Sequence, residues 1–166
     1  MKRVALGLGA NLGDRVAALQ GAVDVVAPHL VDPVVSSVYE TAPVGGPDQP
    51  DYANAVLVGG WDGEPSALLA LARDAEQAWG RTREERWGPR TLDVDVLAVG
   101  DLVSDDPVLT LPHPRARERA FVLVPWAEAD PDAELPDGTR VADLAAAHDP
   151  DDGVRRRDAV HLVVPA

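Results

Sequence analysis

Between Val4 and Val99 the spacing of apolar residues switches between a period of two and a helical period, and the order of the switches restricts the fold more than any single residue does. Val4–Ala10 reads as a strand ending in Gly-Ala-Asn-Leu-Gly, a turn into a helix. From Asp14, apolar residues recur at Val16, Leu19, Val23, Val26 and Leu30, which is helical spacing. Pro33 follows that helix, and Val34–Thr41 is β-branched and strand-like. The segment 42–51 holds three prolines and two glycines and reads as a stiff loop. Tyr52–Gly59 returns as a strand, with Tyr52, Asn54, Val56 and Val58 on one face. Pro65 opens a second helix whose stripe is Leu68, Leu71, Ala72, Ala75 and Trp79, stopping at Gly80. Leu92–Val99 closes the series as a strand, with Leu92, Val94, Val96 and Ala98 turned to a core.

Strand, helix, strand, strand, helix, strand is the ferredoxin-like order. The predicted class is α+β: an antiparallel sheet with helices packed on one face, leaving the other face for a site, plus a C-terminal extension. Thr110–Phe121 reads as a loop with a short helix, running on into the apolar stretch Val122–Trp126. Asp143–Ala147 reads as a last short helix. One domain is expected over residues 1–149, followed by a tail, 150–166, with three arginines at 155–157 and a possible edge strand at His161–Val164.

The chain has 166 residues, 46% of them hydrophobic, enough for a sizeable core. No apolar run approaches the roughly 18–20 residues that span a bilayer, the N-terminus has no signal-peptide pattern, and cysteine is absent. A cytoplasmic protein is expected. The net charge of −13 argues against nucleic acid and anionic membranes as partners, which require a basic surface. The acidic excess lies in turn-like runs such as Asp101–Asp106, Asp130–Asp137 and Asp149–Asp152, read as solvated surface. Arginines are concentrated instead: Arg73, Arg81, Arg83, Arg86 and Arg90 form one group, and Arg115, Arg117 and Arg119 a second.

The first arginine group runs into Asp93 and Asp95, alternate residues of a strand, so both carboxylates share a face about 6–7 Å apart at Cα. Two same-face carboxylates repel unless cations lie between them, and clustered arginines on an acidic chain suit an anion. Polyphosphate with magnesium meets both conditions. A D-x-D at a strand end also occurs as a purely structural feature, and the arginine loop is what favours the chemical reading. Tyr52 and Asn54 share a face beside the proline-rich loop, and an Asn side chain offers donor and acceptor to an amide-like heterocycle edge. Satisfying neighbouring backbone is the alternative for Asn54, and core filling the alternative for Trp87 and Phe121. His113 sits between prolines near the second arginine group and suits either a phosphate contact or a plain turn. His29, His148 and His161 show no ligand spacing and are read as structural or surface residues. Gly7, Gly9 and Gly13 lack the P-loop pattern and are read as a tight strand-to-helix turn.

Taken together, Gly-Leu-Gly-Ala-Asn-Leu-Gly (7–13), Asp-Gln-Pro-Asp-Tyr-Ala-Asn (48–54), Arg-Trp-Gly-Pro-Arg-Thr-Leu-Asp-Val-Asp (86–95) and Leu-Pro-His-Pro (111–114) with Arg119–Ala120–Phe121 resemble the 6-hydroxymethyl-7,8-dihydropterin pyrophosphokinase family, in family order. The resemblance implies transfer of pyrophosphate from ATP to the pterin hydroxymethyl group, releasing AMP, in folate biosynthesis. It further implies that Asp93 and Asp95 hold two Mg2+ ions. Thr41, Val44, Tyr52, Asn54, Trp87 and Phe121 would form the pterin pocket, with Trp87 and Phe121 stacking on the ring. Glu76, Arg81, Arg83, Arg86, Arg90, Thr110, His113 and Arg119 would serve ATP, and Arg81, Arg83, Arg90 and Asp95 the chemical step. The loop bearing the first arginines would close over the nucleotide.

The chain departs from the family at Arg73, where relatives commonly carry glutamine, at Ala42, where proline is frequent, and in a slightly shorter arginine loop. No general base is assigned, because a metal-bound Asp95 would be a poor proton acceptor. Small molecules are the expected partners, with the chain acting as a monomer or through a tail-mediated dimer. The rival readings are another magnesium-dependent phosphotransferase or nucleotidyltransferase with a different acceptor, and a non-enzymatic ferredoxin-like binding module.

Overall fold

A computed structural model describes residues 1–10, 14–41, 52–79, 92–148, 154–157 and 160–165. The predicted order of elements is present: β1 (Lys2–Ala10), α1 (Arg15–Val26), β2 (Val31–Val35), β3 (Tyr39–Thr41), β4 (Tyr52–Trp61), α2 (Pro65–Ala78) and β5 (Asp93–Val99). β1 is central, paired antiparallel with β4 on one side and β5 on the other. Both β2 and β3 pair antiparallel with β4. The single strand expected over Val34–Thr41 is therefore two. Ser36 separates them: its backbone N–H donates to the Val56 carbonyl at 2.9 Å, and its hydroxyl accepts the Val56 N–H at 2.9 Å. A serine side chain thus stands in for a ladder bond while the chain steps sideways.

α1 starts where its sequence offers a cap. The Asp14 carboxylate accepts the Ala17 N–H at 3.0 Å, satisfying one of the donors that a helix leaves open at its first turn. Ala18, Leu19, Ala22, Val23 and Val26 then make the buried stripe. α2 buries Leu68, Ala72 and Ala75. Both helices meet the sheet through Val4, Leu6, Leu8, Leu57, Val94 and Val96 in one continuous core. Each buried leucine or valine contributes about 1.5–3 kcal/mol relative to exposure.

The other face is half covered. Beyond β5 come a hairpin, β6 (Ser104–Asp106) with β7 (Leu109–Leu111), then a 3-10 turn at Ala116–Glu118, α3 (Ala120–Ala129) and α4 (Val141–Ala147). Val122–Trp126 thus belongs to a helix, with Pro125 inside it. Val122, Leu123 and Trp126 of α3 and Val141 of α4 form a second core with Ala5, Val56, Val58, Leu97 and Ala98. The helices of the βαββαβ unit share one face as predicted, and α3 and α4 close part of the opposite face, whose other end is uncovered by the described residues.

β5 departs from simple alternation. Its register with β1 slips between Ala5 and Leu6, which pair with Ala98 and Val96, so Leu97 is an extra residue, a β-bulge. Leu97 and Ala98 both enter the second core, and Val99 joins the first. The sequence pattern placed Ala98 and Val99 the other way round, because a bulge has no signature in an unbroken apolar run.

The tail folds back along its own chain. β8 (Arg155–Arg156) pairs antiparallel with β3, Tyr39 opposite Arg156 and Glu40 opposite Arg155. The edge pairing is here rather than at His161–Val164. There Leu162 and Val164 pack on the first core, and the Gln20 side chain grips Val163, donating to its carbonyl at 2.7 Å and accepting its N–H at 2.8 Å.

Candidate active site

Cross-strand partners project to the same face of a sheet, so the register alone builds the floor of the site. One row runs Tyr39, Asn54, Gly9, Asp93 across β3, β4, β1 and β5. The next holds Val56, Gly7 and Asp95. Asn54 and Asp93 are two strand spacings apart, about 10 Å. Between them the central strand presents only glycine. This corrects the reading of Gly7 and Gly9 as turn residues: both lie within β1, and Gly13 falls outside the described residues. A Cβ on Gly9 would stand 3.2 Å from the Asn54 Oδ1, and one on Gly7 would stand 3.3 Å from the Leu97 side chain.

Above this floor lies a cavity of about 790 Å3. Thr41, Tyr52, Asn54, Asp93, Asp95, Arg119 and Phe121 all line it, so residues expected from four separate stretches of chain meet in one space. Asn54 is buried, and its Nδ2 donates to the Thr41 hydroxyl at 3.0 Å, which fixes the amide and leaves its carbonyl oxygen beside Gly9. Phe121 stands in the first turn of α3, with the Arg119 guanidinium 5.6 Å from its ring centroid. That is cation–π range, and it ties the arginine to the aromatic wall.

His113 lies near the carboxylate end. Its N–H donates to the Leu97 carbonyl at 2.8 Å and its Nδ1 accepts the Arg115 N–H at 3.3 Å. Burial lowers its pKa below the usual histidine value; the Asp95 carboxylate opposes that shift, while Arg119 and Arg115 add to it. Thr110, on β7, gives its hydroxyl proton to the Asp106 carbonyl at 3.0 Å. Glu76 is placed behind β5: it is buried on α2, and its carboxylate accepts the Val94 N–H at 3.1 Å, from the face opposite the aspartates. Val44, Arg81, Arg83, Arg86, Trp87 and Arg90 lie outside the described residues.

The cavity also takes in Arg115 of the second arginine group, His148, which the sequence marked as a structural or surface residue, and Glu118 and Val154, which it did not single out. Arg115 and Arg119 flank a 3-10 turn that sends Arg117 away, to Asp137 at 2.5 Å and Thr139 at 2.9 Å, so the second arginine group is divided. His148 caps α4 at its C-terminal end and Val154 is the first described residue of the tail, and both reach the site only through tertiary packing.

Asp93 and Asp95 suit a hard divalent cation. They offer carboxylate oxygens on one face with no side chain between their strand and Asn54. Among the described residues there is no cluster of three or more His, Asp or Glu able to cage a metal alone, so the remaining ligands of a cation here would come from water or a bound anion. Magnesium accepts that arrangement. Among the described residues, no helix is long and apolar enough to cross a membrane.

Known proteins resemble this chain in sequence and in fold. The profile of the family described as 7,8-dihydro-6-hydroxymethylpterin-pyrophosphokinase matches residues 5–131. Relatives named 2-amino-4-hydroxy-6-hydroxymethyldihydropteridine pyrophosphokinase include one from Mycobacterium tuberculosis, 40% identical over 100% of this chain and 92% of its own length. Another, from Methylorubrum extorquens, is 44% identical over 94% of this chain and 99% of its own. Among solved structures, an HPPK-DHPS in complex with substrates superposes with a TM-score of 0.69 at 11% identity, covering 88% of this chain and 43% of that one. The wild-type Plasmodium falciparum HPPK-DHPS with pteroate gives 0.67 at 14%, covering 87% and 42%. This chain spans less than half the length of those two, and at such identity they speak for the fold alone.

Proposed function

The chain belongs to the 7,8-dihydro-6-hydroxymethylpterin-pyrophosphokinase family, and from that premise we propose a division of labour within its cavity. The enzyme transfers pyrophosphate from its co-substrate ATP to the hydroxymethyl group of 6-hydroxymethyl-7,8-dihydropterin, giving AMP and the pterin diphosphate, a step of folate biosynthesis. The observation that carries the assignment of residues is the glycine-floored row. A fixed amide at Asn54 and a carboxylate at Asp93 face one cavity, about 10 Å apart, with nothing larger than hydrogen between them on β1.

At the acceptor end, the Asn54 carbonyl, Thr41, Tyr52 and Phe121 hold the pterin, with Val44 and Trp87 completing the pocket. Asn54 reads the amide edge of the ring, and the two aromatics stack on its faces. At the other end Asp93 and Asp95 hold two magnesium ions, which when bound neutralise the phosphate oxygens. Arg119 approaches the phosphates from the aromatic side, Thr110 and His113 from β7 and the turn after it. Arg81, Arg83, Arg86 and Arg90 supply guanidinium forks, and Glu76 serves the nucleotide side by holding the start of β5.

The chemistry asks for positioning. The hydroxymethyl oxygen attacks the β-phosphorus and releases its proton to water, the bond from that phosphorus to the α–β bridging oxygen breaks, and AMP leaves with that oxygen and the bonding electrons. The pocket aligns the hydroxyl, and the arginines stabilise charge that builds on the transferred group. Burial lowers the His113 pKa below the usual histidine value, against the pull of Asp95, and the ring offers the phosphates a hydrogen bond. The chain acts as a monomer in this reading, and dependence on ATP fits work in the cytoplasm.

Incubation with ATP, magnesium and 6-hydroxymethyl-7,8-dihydropterin should yield AMP and the pterin diphosphate in equal amounts. Formation of ADP, or AMP release indifferent to the pterin, would overturn the reading.

A further inference from the structure

Glu40 stands back to back with the acceptor pocket. β3 is three residues long; Tyr39 and Thr41 face the cavity side, and Glu40 between them faces α1. There its carboxylate accepts the Arg15 guanidinium of α1 at 2.9 Å and that of Arg157, with the Arg155 guanidinium 4.0 Å away. The Glu40 side chain is 14% exposed and that of Arg15 25%, whereas Arg157 is 42% exposed, so the clasp joins a half-buried carboxylate to a guanidinium that water still reaches.

Arg155 and Arg157 belong to the tail. Arg155 and Arg156 form the strand that covers the outer edge of β3, and the Arg157 N–H donates to the Val38 carbonyl at 2.8 Å. Val154, one residue earlier, is in the wall of the cavity. Further on, Val160, Leu162 and Val164 pack on the first core, and Gln20 anchors Val163. The tail therefore begins at the site, crosses the edge strand that carries Thr41, and is fastened on the far side.

We propose that this C-terminal segment is a positioning element of the acceptor pocket, and that Glu40 with Arg157 is the clasp through which it acts. A three-residue strand has few ladder bonds of its own, and Thr41 is its last residue. β8 pairs with Tyr39 and Glu40 and stops short of Thr41. Without β8 and the clasp, β3 is left with β4 and the Glu128 contacts to Ser37 and Tyr39, and Thr41 and the Asn54 amide that it fixes lose registration. Nucleotide groups at the β5 end stand across the sheet from this clasp. The effect thus falls on the pterin and spares ATP. The inference rests on the assignment of Asn54 and Thr41 to the pterin.

The test compares the wild-type chain with Arg157→Met and Arg157→Lys, measuring pterin affinity by calorimetry in the presence of a non-hydrolysable ATP analogue, and both KM values in turnover. Arg157→Met should weaken pterin binding and raise its KM roughly tenfold, with the KM for ATP changed less than about twofold, and the lysine variant should recover most of the loss. Glu40→Gln should behave like Arg157→Met. Unchanged pterin affinity in both Arg157→Met and Glu40→Gln would overturn the proposal, as would equal loss for both substrates. A wild-type chain that binds no pterin would instead overturn the assignment of the pocket.

Discussion

Gly9 and Asn54 are direct partners across β1 and β4, close enough that a single methyl on the glycine would press on the Asn54 Oδ1 at 3.2 Å. The glycine is thus a clearance for the amide. Gly9→Ala should raise the KM for the pterin roughly tenfold while leaving the KM for ATP near its starting value, since a few tenths of an ångström at a hydrogen-bonding edge is enough to spoil alignment. Steady-state kinetics with each substrate varied in turn checks this. An unchanged pterin KM would show that Asn54 tolerates the displacement.

Asp95 pairs with Gly7 and projects into the same cavity as Asp93. Asp95→Ala should lower turnover on the order of 100- to 1,000-fold while the fold persists, because charge neutralisation at the phosphates is lost where it matters most. Circular dichroism alongside the AMP assay separates chemistry from unfolding. Removing divalent cations with a chelator should abolish activity in the wild type, and readdition of magnesium should restore it.

Glu76 is the support behind the aspartates. Glu76→Ala leaves the buried Val94 N–H without the carboxylate it now meets at 3.1 Å, at a cost of about 1–3 kcal/mol. Glu76→Gln keeps an acceptor and should recover most of it. Urea unfolding with unchanged slope but a lower midpoint is the expected signature.

Acid should loosen the tail. Burial pushes the Glu40 carboxyl up, but the hydrogen bond and charge of Arg157, with those of Arg15, outweigh it and hold the group below the usual glutamate value. A depressed pKa in the folded chain means that the stabilisation is present above the unfolded value of 4.5 and is lost as pH falls from there through the folded pKa. Thermal melting of the wild type should decline over that interval more steeply than that of Glu40→Gln. Parallel curves would show that the clasp contributes nothing to stability.

The order of strands and helices was legible because each element through β5 carries its own period. The D-x-D was legible for the same reason, being local, whereas the Asp14 cap of α1 was not read and the expected stop at Gly80 lies outside the described residues. Three features were not. Gly7 and Gly9 resemble a turn until register sets them opposite Asp95 and Asn54, and register is a relation between strands. Pro125 within α3 discourages a helical reading, yet Leu123 and Trp126 bury well enough to hold the helix against the sheet. Glu40 and Arg157 are 117 positions apart, and nothing local marks them as partners. Asp93 and Asp95 were visible as a pair, whereas Arg115, His148 and Val154 reach the cavity only by packing.

The extra residue at Leu97 acts as a change of phase. Ahead of it, β5 turns Asp93 and Asp95 toward solvent chemistry; after it, the same side carries Leu97 and Ala98 into the second core. A loop can gain or lose a residue and keep its meaning. Here deletion of Leu97 would restore plain alternation and leave Ala98 and Val99 on their present faces, so β5 should tolerate loss of the bulge residue better than insertion of a second extra residue beside it.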